Sequence, residues 1–157
     1  MRRHEYLLVL NAGRMPLTAS DASVRQPTSA DADALAQLML DAYLGTIDYD
    51  GEMLEDAREE VVGYFARSPM PDCSWLNLAD GVPVSSSLVS GWADRGCPIV
   101  SYVMTAPAWK GQGLASDLLA RSLVSLAEAG HREVRAVITE GNVPSETIFA
   151  RAGFRRV

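Results

Sequence analysis

Histidine and cysteine are scarce here, with two of each among 157 residues: His4, His131, Cys73 and Cys97. Two widely separated imidazoles leave little material for a histidine metal cluster or a hydrolytic triad. No CxxC spacing is present, so neither a zinc site nor a disulfide framework is expected, and a reducing, cytoplasmic setting is the default. Basic charge is also short: 14 Lys and Arg stand against 20 Asp and Glu, a formal charge of −6. A general nucleic-acid binder needs a basic face to displace phosphate counterions, so that class is set aside. No apolar run approaches the ~18 residues of a membrane span. The first ten residues are too short and too soon interrupted by polar groups for a secretory signal, so no membrane partner is expected. Repeats and low-complexity tracts are missing as well.

What remains is an ordinary globular composition, 48% hydrophobic and 22% charged, at the length of one domain. The acidity suits a cationic substrate and equally suits simple solubility.

Taken in order, residues 5–10 read as a short buried strand closed by Asn11-Ala12-Gly13, and residues 14–21, with Pro16, as a connector. Thr28 or Ser29 can cap a helix whose first turn carries Asp31 and Asp33, favourable at the positive dipole end. Its apolar stripe runs through Leu35, Leu38, Met39 and Ala42 to Tyr43, and Gly45 stops it. A second helix is expected over 52–66, ended by Ser68-Pro69. Residues 74–78 and 82–91 read as a hairpin about Ala79-Asp80-Gly81, and 99–104 as the central strand. A long helix with Leu118, Leu119, Leu123 and Leu126 inward ends at Gly130. Residues 133–139 form another strand, and Asn142 to about Ala152 a short last helix. Strands and helices in this order imply an α/β (α+β) mixed sheet.

The chain is organised around the central strand and the loop after it, Lys110-Gly111-Gln112-Gly113-Leu114-Ala115. Two glycines where a helix begins remove the Cβ atoms that would block a ligand, and first-turn amides have no acceptor within the helix. Such a place binds phosphate. Alone, the pattern also fits a nucleotide binder of unrelated chemistry.

This strand, loop and helix resemble the cofactor-binding core of the GCN5-related N-acetyltransferase (GNAT) superfamily. Its pattern is Arg or Gln, two variable residues, Gly, one variable residue, then Gly or Ala; Lys110 takes the first place here. The run Asn142-Val143-Pro144-Ser145-Glu146-Thr147-Ile148-Phe149-Ala150-Arg151-Ala152-Gly153-Phe154 resembles the family's second signature. The likeness covers roughly residues 24–157. It implies a domain over 22–157, preceded by an extra strand and connector over 1–21, with splayed central strands and about four flanking helices.

The resemblance further implies acetyl-CoA as cosubstrate. Its pyrophosphate would lie on the amides of Gly111, Gln112, Gly113, Leu114, Ala115 and Ser116, with the Lys110 ammonium favourable beside it as a point charge. Pantetheine would pair with the strand edge at Val103, Met104 and Thr105, and the backbone amide of Met104 or Thr105 would also polarise the acetyl carbonyl. Asn142 resembles the residue that contacts the pantetheine arm, and also suits an N-cap; Ser145 supports it. Phe149, placed with the cofactor site, stands where many relatives carry a Tyr general acid, and Val137 where some carry a catalytic Glu. Neither has a proton to give or take.

The catalytic candidates are therefore Glu140, as base or as an ordinary loop carboxylate, and Tyr102, as a catalytic hydroxyl or as a core tyrosine. Direct attack of a primary amine in a ternary complex is the expected mechanism; neither cysteine has an evident base for an acyl intermediate. The acceptor, a small amine or a peptide or protein amino group, would be shaped by Thr46, Asp48, Tyr49, Asp50 and Glu52, and by the hairpin near Asp80. The absences at Phe149 and Val137 keep open a CoA-binding sensor or interaction module. Since the family continues beyond Gly-Phe into further strands, residues 5–10 are expected to fill the sheet edge near Arg155-Arg156, within one molecule or by exchange in a homodimer.

Overall fold

The computed structural model describes residues 2–10 and 23–157. The expected 11–13 turn and 14–21 connector lie outside the described residues. In chain order the elements are β1 (Arg3–Val9), β2 (Val24–Arg25), α1 (Ala32–Tyr43), α2 (Leu54–Ala66), β3 (Trp75–Ala79), β4 (Val82–Trp92), β5 (Cys97–Thr105), α3 (Leu114–Glu128), β6 (Glu133–Thr139), α4 (Val143–Arg151) and β7 (Arg155–Arg156). The strands form a seven-stranded mixed sheet in the order β2-β3-β4-β5-β6-β1-β7.

Each face of the sheet carries its own core. Leu35, Leu38 and Met39 of α1 and Val61 of α2 pack on Leu76, Leu88 and Met104. Leu119, Leu123 and Leu126 of α3 and Phe149 of α4 pack on Val89, Val100, Val134 and Ile138. The alternation of Leu88 and Val89 to opposite faces is the period-2 rule of a strand covered on both sides.

β1 does not lie apart from the sheet. It pairs antiparallel with β6 along its whole length, from Arg3↔Thr139 to Val9↔Glu133, and with β7 at Tyr6↔Arg156 and Leu7↔Arg155. Glu5 anchors it, its carboxylate bonded to both Arg95 and Arg135. The first strand of the chain thus fills the sheet beside the last one, within one molecule.

The junction between β5 and β6 positions the site. These strands run parallel and share one registered pair, Ile99↔Arg135. Just beyond it, Leu88 faces Tyr102 while Val89 faces Val100, leaving Ser101 as an extra residue. Such a bulge bends its strand and increases local twist. β5 consequently stays with β4 as far as Thr105 but leaves β6, and the sheet parts into a V.

Candidate functional site

A cavity of about 670 Å³ opens at this V. One wall is β5 from Ile99 to Val103; β6 contributes Val137, and α4 with its N-cap contributes Asn142, Ser145 and Phe149. The opposite wall comes from α1, α2 and the loop between them, with Tyr43, Asp48, Tyr49, Glu52 and Glu60 facing in.

Beyond the cavity, β5 leads through Pro107 to the glycine loop. Gly111 and Gly113 both have φ of +80°, a left-handed conformation that L side chains rarely adopt. A Cβ built on either would meet nothing within 4 Å, so the space over them is open. Gly113 is the N-cap of α3, and the Asp117 amide bonds the Gly113 carbonyl at 3.0 Å. The amides of Leu114, Ala115 and Ser116 therefore precede the helix's hydrogen-bond ladder, where an anion is favoured. Lys110 is exposed and its Nζ reaches the Ala42 carbonyl, 3.4 Å away at the end of α1. Trp109, also partly exposed, stands beside it.

Of the cofactor residues read from the sequence, Val103, Asn142, Ser145 and Phe149 line the cavity. The Met104 side chain is buried in the α1–α2 core, which leaves only its backbone for a ligand. Thr105 Oγ1 is bonded to Ser85 Oγ at 3.0 Å. Asn142 has two tasks: its Oδ1 accepts the Ser145 amide at 3.3 Å as the cap of α4, and its Nδ2 donates to Asp48 Oδ2 at 2.7 Å. Phe149 is buried, edge-on to Phe154 with ring centroids 5.0 Å apart. Val137 is 42% exposed in the cavity wall.

The two catalytic candidates separate. Glu140 is not among the cavity-lining residues; its carboxylate sits 3.3 Å from His4 Nε2, and its amide bonds the Arg2 carbonyl. Tyr102 lines the cavity, and its hydroxyl donates to Glu60 Oε2 at 2.5 Å. Burial, followed by the neighbouring Glu60 carboxylate, pushes the Tyr102 hydroxyl pKa well up. Tyr43 is pushed up to about 12 by burial and then by Asp48 and Glu60. Both phenols are thus neutral donors at ordinary pH. Both cysteines are buried, and burial raises their thiol pKa values, which opposes a nucleophilic thiolate.

Asp48, Tyr49 and Glu52 of the inter-helix loop reach the cavity as expected. Thr46 and Asp50 instead shape the loop: Thr46 Oγ1 donates to the Tyr43 carbonyl, and the Asp50 amide donates to Glu52 Oε2. Asp80 lies in the β3–β4 turn and does not line the cavity. Glu60 and Tyr43 were missed by sequence reasoning. The signal existed: Asp56, Glu59 and Glu60 stand at i, i+3 and i+4, one face of α2, and all three line the cavity.

The acetyltransferase (GNAT) domain profile matches residues 23–155, and the chain belongs to that family. Solved structures share the fold. A GCN5-related N-acetyltransferase from Sphaerobacter thermophilus is 18% identical, with a TM-score of 0.73 over 99% of this chain and 48% of that one. The chain thus spans about half the length of that relative. A putative acetyltransferase from Salmonella typhimurium, solved with acetyl-CoA, is 20% identical, with a TM-score of 0.66 over 85% of this chain and 79% of that one. An N-acetyltransferase from Thermoplasma acidophilum, solved with coenzyme A, is 16% identical, with a TM-score of 0.66 over 84% and 88%. No curated protein sequence matches this chain. Among the described residues no helix is long and apolar enough to cross a membrane.

Proposed function

We propose that this protein is an acetyl-CoA-dependent N-acetyltransferase acting on a primary amine by direct attack in a ternary complex. The observation that carries the reading is the parted β5–β6 pair leading to open glycines at the start of α3. The amides from Gly111 to Ser116 would hold the diphosphate, and the free edge of β5 at Val103, Met104 and Thr105 would take the amide-bearing arm. Asn142 and Ser145 would flank that arm, with Phe149 behind them. Acetyl-CoA would supply an activated thioester; the chain's part is to hold it, orient it and receive the amine's proton. The catalytic domain is taken as 22–157, its sheet completed by β1.

The acidic wall of Asp48, Glu52 and Glu60 suits an amine that arrives as a cation, and Tyr49 adds an aromatic face beside it. Peptide or protein amino groups meet the same requirement as small amines. Phe149 and Val137 favour a second reading, a CoA-binding module without turnover, because neither position offers a proton.

The test is release of free thiol from acetyl-CoA with benzylamine, 1,4-diaminobutane and a lysyl peptide, beside calorimetry with acetyl-CoA and ATP. Turnover on an amine supports the enzyme, and tight cofactor binding without turnover supports the module. ATP binding as tightly as acetyl-CoA would sink both.

A further inference from the structure

The acetyltransferase reading leaves one requirement without an owner. As the amine nitrogen bonds to the acyl carbon it becomes acidic, and its proton needs an acceptor within reach. Glu140 is turned to His4, and Phe149 and Val137 have nothing to offer. Within the cavity one acid–base pair is already hydrogen-bonded: the Tyr102 hydroxyl on Glu60.

Resting on that reading, we infer that Glu60 is the general base of the reaction and that it receives the amine proton through the Tyr102 hydroxyl. Three features of the structure carry this. First, the bulge at Ser101 sets Tyr102 on the α1–α2 face of the sheet, one residue before the β5 edge at Val103. Second, the Tyr102 hydrogen is committed to Glu60, so its oxygen lone pairs remain to accept an N–H from an amine in the cavity. Third, Glu60 lies on the exposed face of α2, so a proton received there passes on to water.

The charged and titratable groups around the pair are Tyr43 of α1, Asp48, Tyr49 and Glu52 of the loop, Asp56, Glu59, Tyr64 and Arg67 along α2, and Arg3 of β1. Arg67 favours the ionised phenol, whereas Glu60 and Tyr43 oppose it, which keeps Tyr102 a relay and not a phenolate base.

The step balances as follows. The ammonium first gives one proton to water, which frees the nitrogen lone pair; the amine nitrogen then forms its bond to the acetyl carbon, and the C–S bond breaks with its electron pair on sulfur. The nitrogen's proton moves to the Tyr102 oxygen as the Tyr102 proton moves to Glu60 Oε2. Glu60 then returns its proton to water, and the thiolate takes one from water.

The experiment compares wild type, Glu60→Gln, Glu60→Asp and Tyr102→Phe. Thermal unfolding checks that each variant is folded. One readout needs no turnover: tyrosinate absorbance against pH, with Tyr102 isolated by subtracting the Tyr102→Phe curve. Removing the Glu60 charge is expected to lower the pKa of Tyr102, and an unmoved curve would overturn the contact. The second readout uses acetyl-CoA and whichever of the three amines wild type turns over. Glu60→Gln is expected to lose about 100-fold or more in kcat, with the KM for acetyl-CoA unchanged, partial retention in Glu60→Asp and rescue by added formate. Wild-type turnover with Glu60→Gln undiminished sinks this inference alone. No turnover by wild type sinks the acetyltransferase reading and this inference with it.

Discussion

The wall formed by β5, the glycine loop and α3 presents backbone, whereas the wall formed by α1, α2 and their loop presents side chains. On the first wall the useful groups are amides and an open strand edge, and the side chains that matter are those missing at Gly111 and Gly113. On the second wall carboxylates and phenols face the cavity, among them Asp48, Glu52, Glu60, Tyr43 and Tyr49. A backbone wall can receive one kind of ligand across very different sequences. A side-chain wall is free to change with the acceptor. The difference predicts that damage to the first weakens cofactor binding, and that damage to the second alters turnover or choice of the amine.

The largest effect should follow Gly113→Val. A β-branched residue at a φ of +80° is strained by roughly 1–3 kcal/mol. The loop sheds that strain by withdrawing the amides proposed to seat the diphosphate. Since ~1.4 kcal/mol is tenfold in affinity, acetyl-CoA should bind roughly ten to a hundred times more weakly. The apoprotein fold should survive, because the new side chain enters open space. Calorimetry giving unchanged affinity would erase the distinction between the walls.

Asn142→Ala comes next, because Asn142 ties the start of α4 to the loop of the side-chain wall. The substitution removes the α4 cap, worth ~1 kcal/mol, and the bond to Asp48, worth about 0.5–1.5 kcal/mol. Chemical denaturation should report a loss of about 1.5–2.5 kcal/mol, and the KM for the amine should rise along with that for acetyl-CoA. A rise in the acetyl-CoA KM alone would mean that the Asp48 bond does not place the acceptor loop.

The same division explains what the sequence made legible. The glycine loop, the central strand and both signatures are local: spacing within about a dozen residues dictates their backbone, so they could be read directly, and the splayed mixed sheet came with the resemblance. The Glu60–Tyr102 and Asp48–Asn142 contacts join residues 42 and 94 positions apart. Only the packing of α2 on the sheet and the return of α4 to the V bring them together. Glu140 is the converse case. Its place at the end of β6 looked catalytic, but β1 runs antiparallel beside that strand and presents His4 to it. The Lys110 side chain was likewise expected beside phosphate, and the Ala42 carbonyl at the end of α1 gives it an alternative that local spacing could not reveal.

The smallest effect concerns how the side-chain wall is fastened. Asp31, just before α1, accepts both Arg25 guanidinium branches, at 2.9 and 2.8 Å, and the Thr28 amide at 2.8 Å. The Arg25 hydrogen bonds hold the Asp31 carboxyl below its ordinary value of 3.8, against the opposing pull of burial. A carboxyl depressed in the folded state binds fewer protons than in the unfolded chain. Its contribution is therefore full above the unfolded value and fades as pH falls through the folded one. Arg25 is 43% exposed, so solvent screening keeps the pair under about 1 kcal/mol. Asp31→Asn keeps an oxygen for Thr28 but loses the charge. The gap in melting temperature between wild type and Asp31→Asn should be steady from about pH 7 to about pH 5 and should narrow below about pH 4. A gap just as wide at about pH 3 would show that the Arg25 pair does not tie β2 to α1, and that the side-chain wall is held by its apolar packing alone.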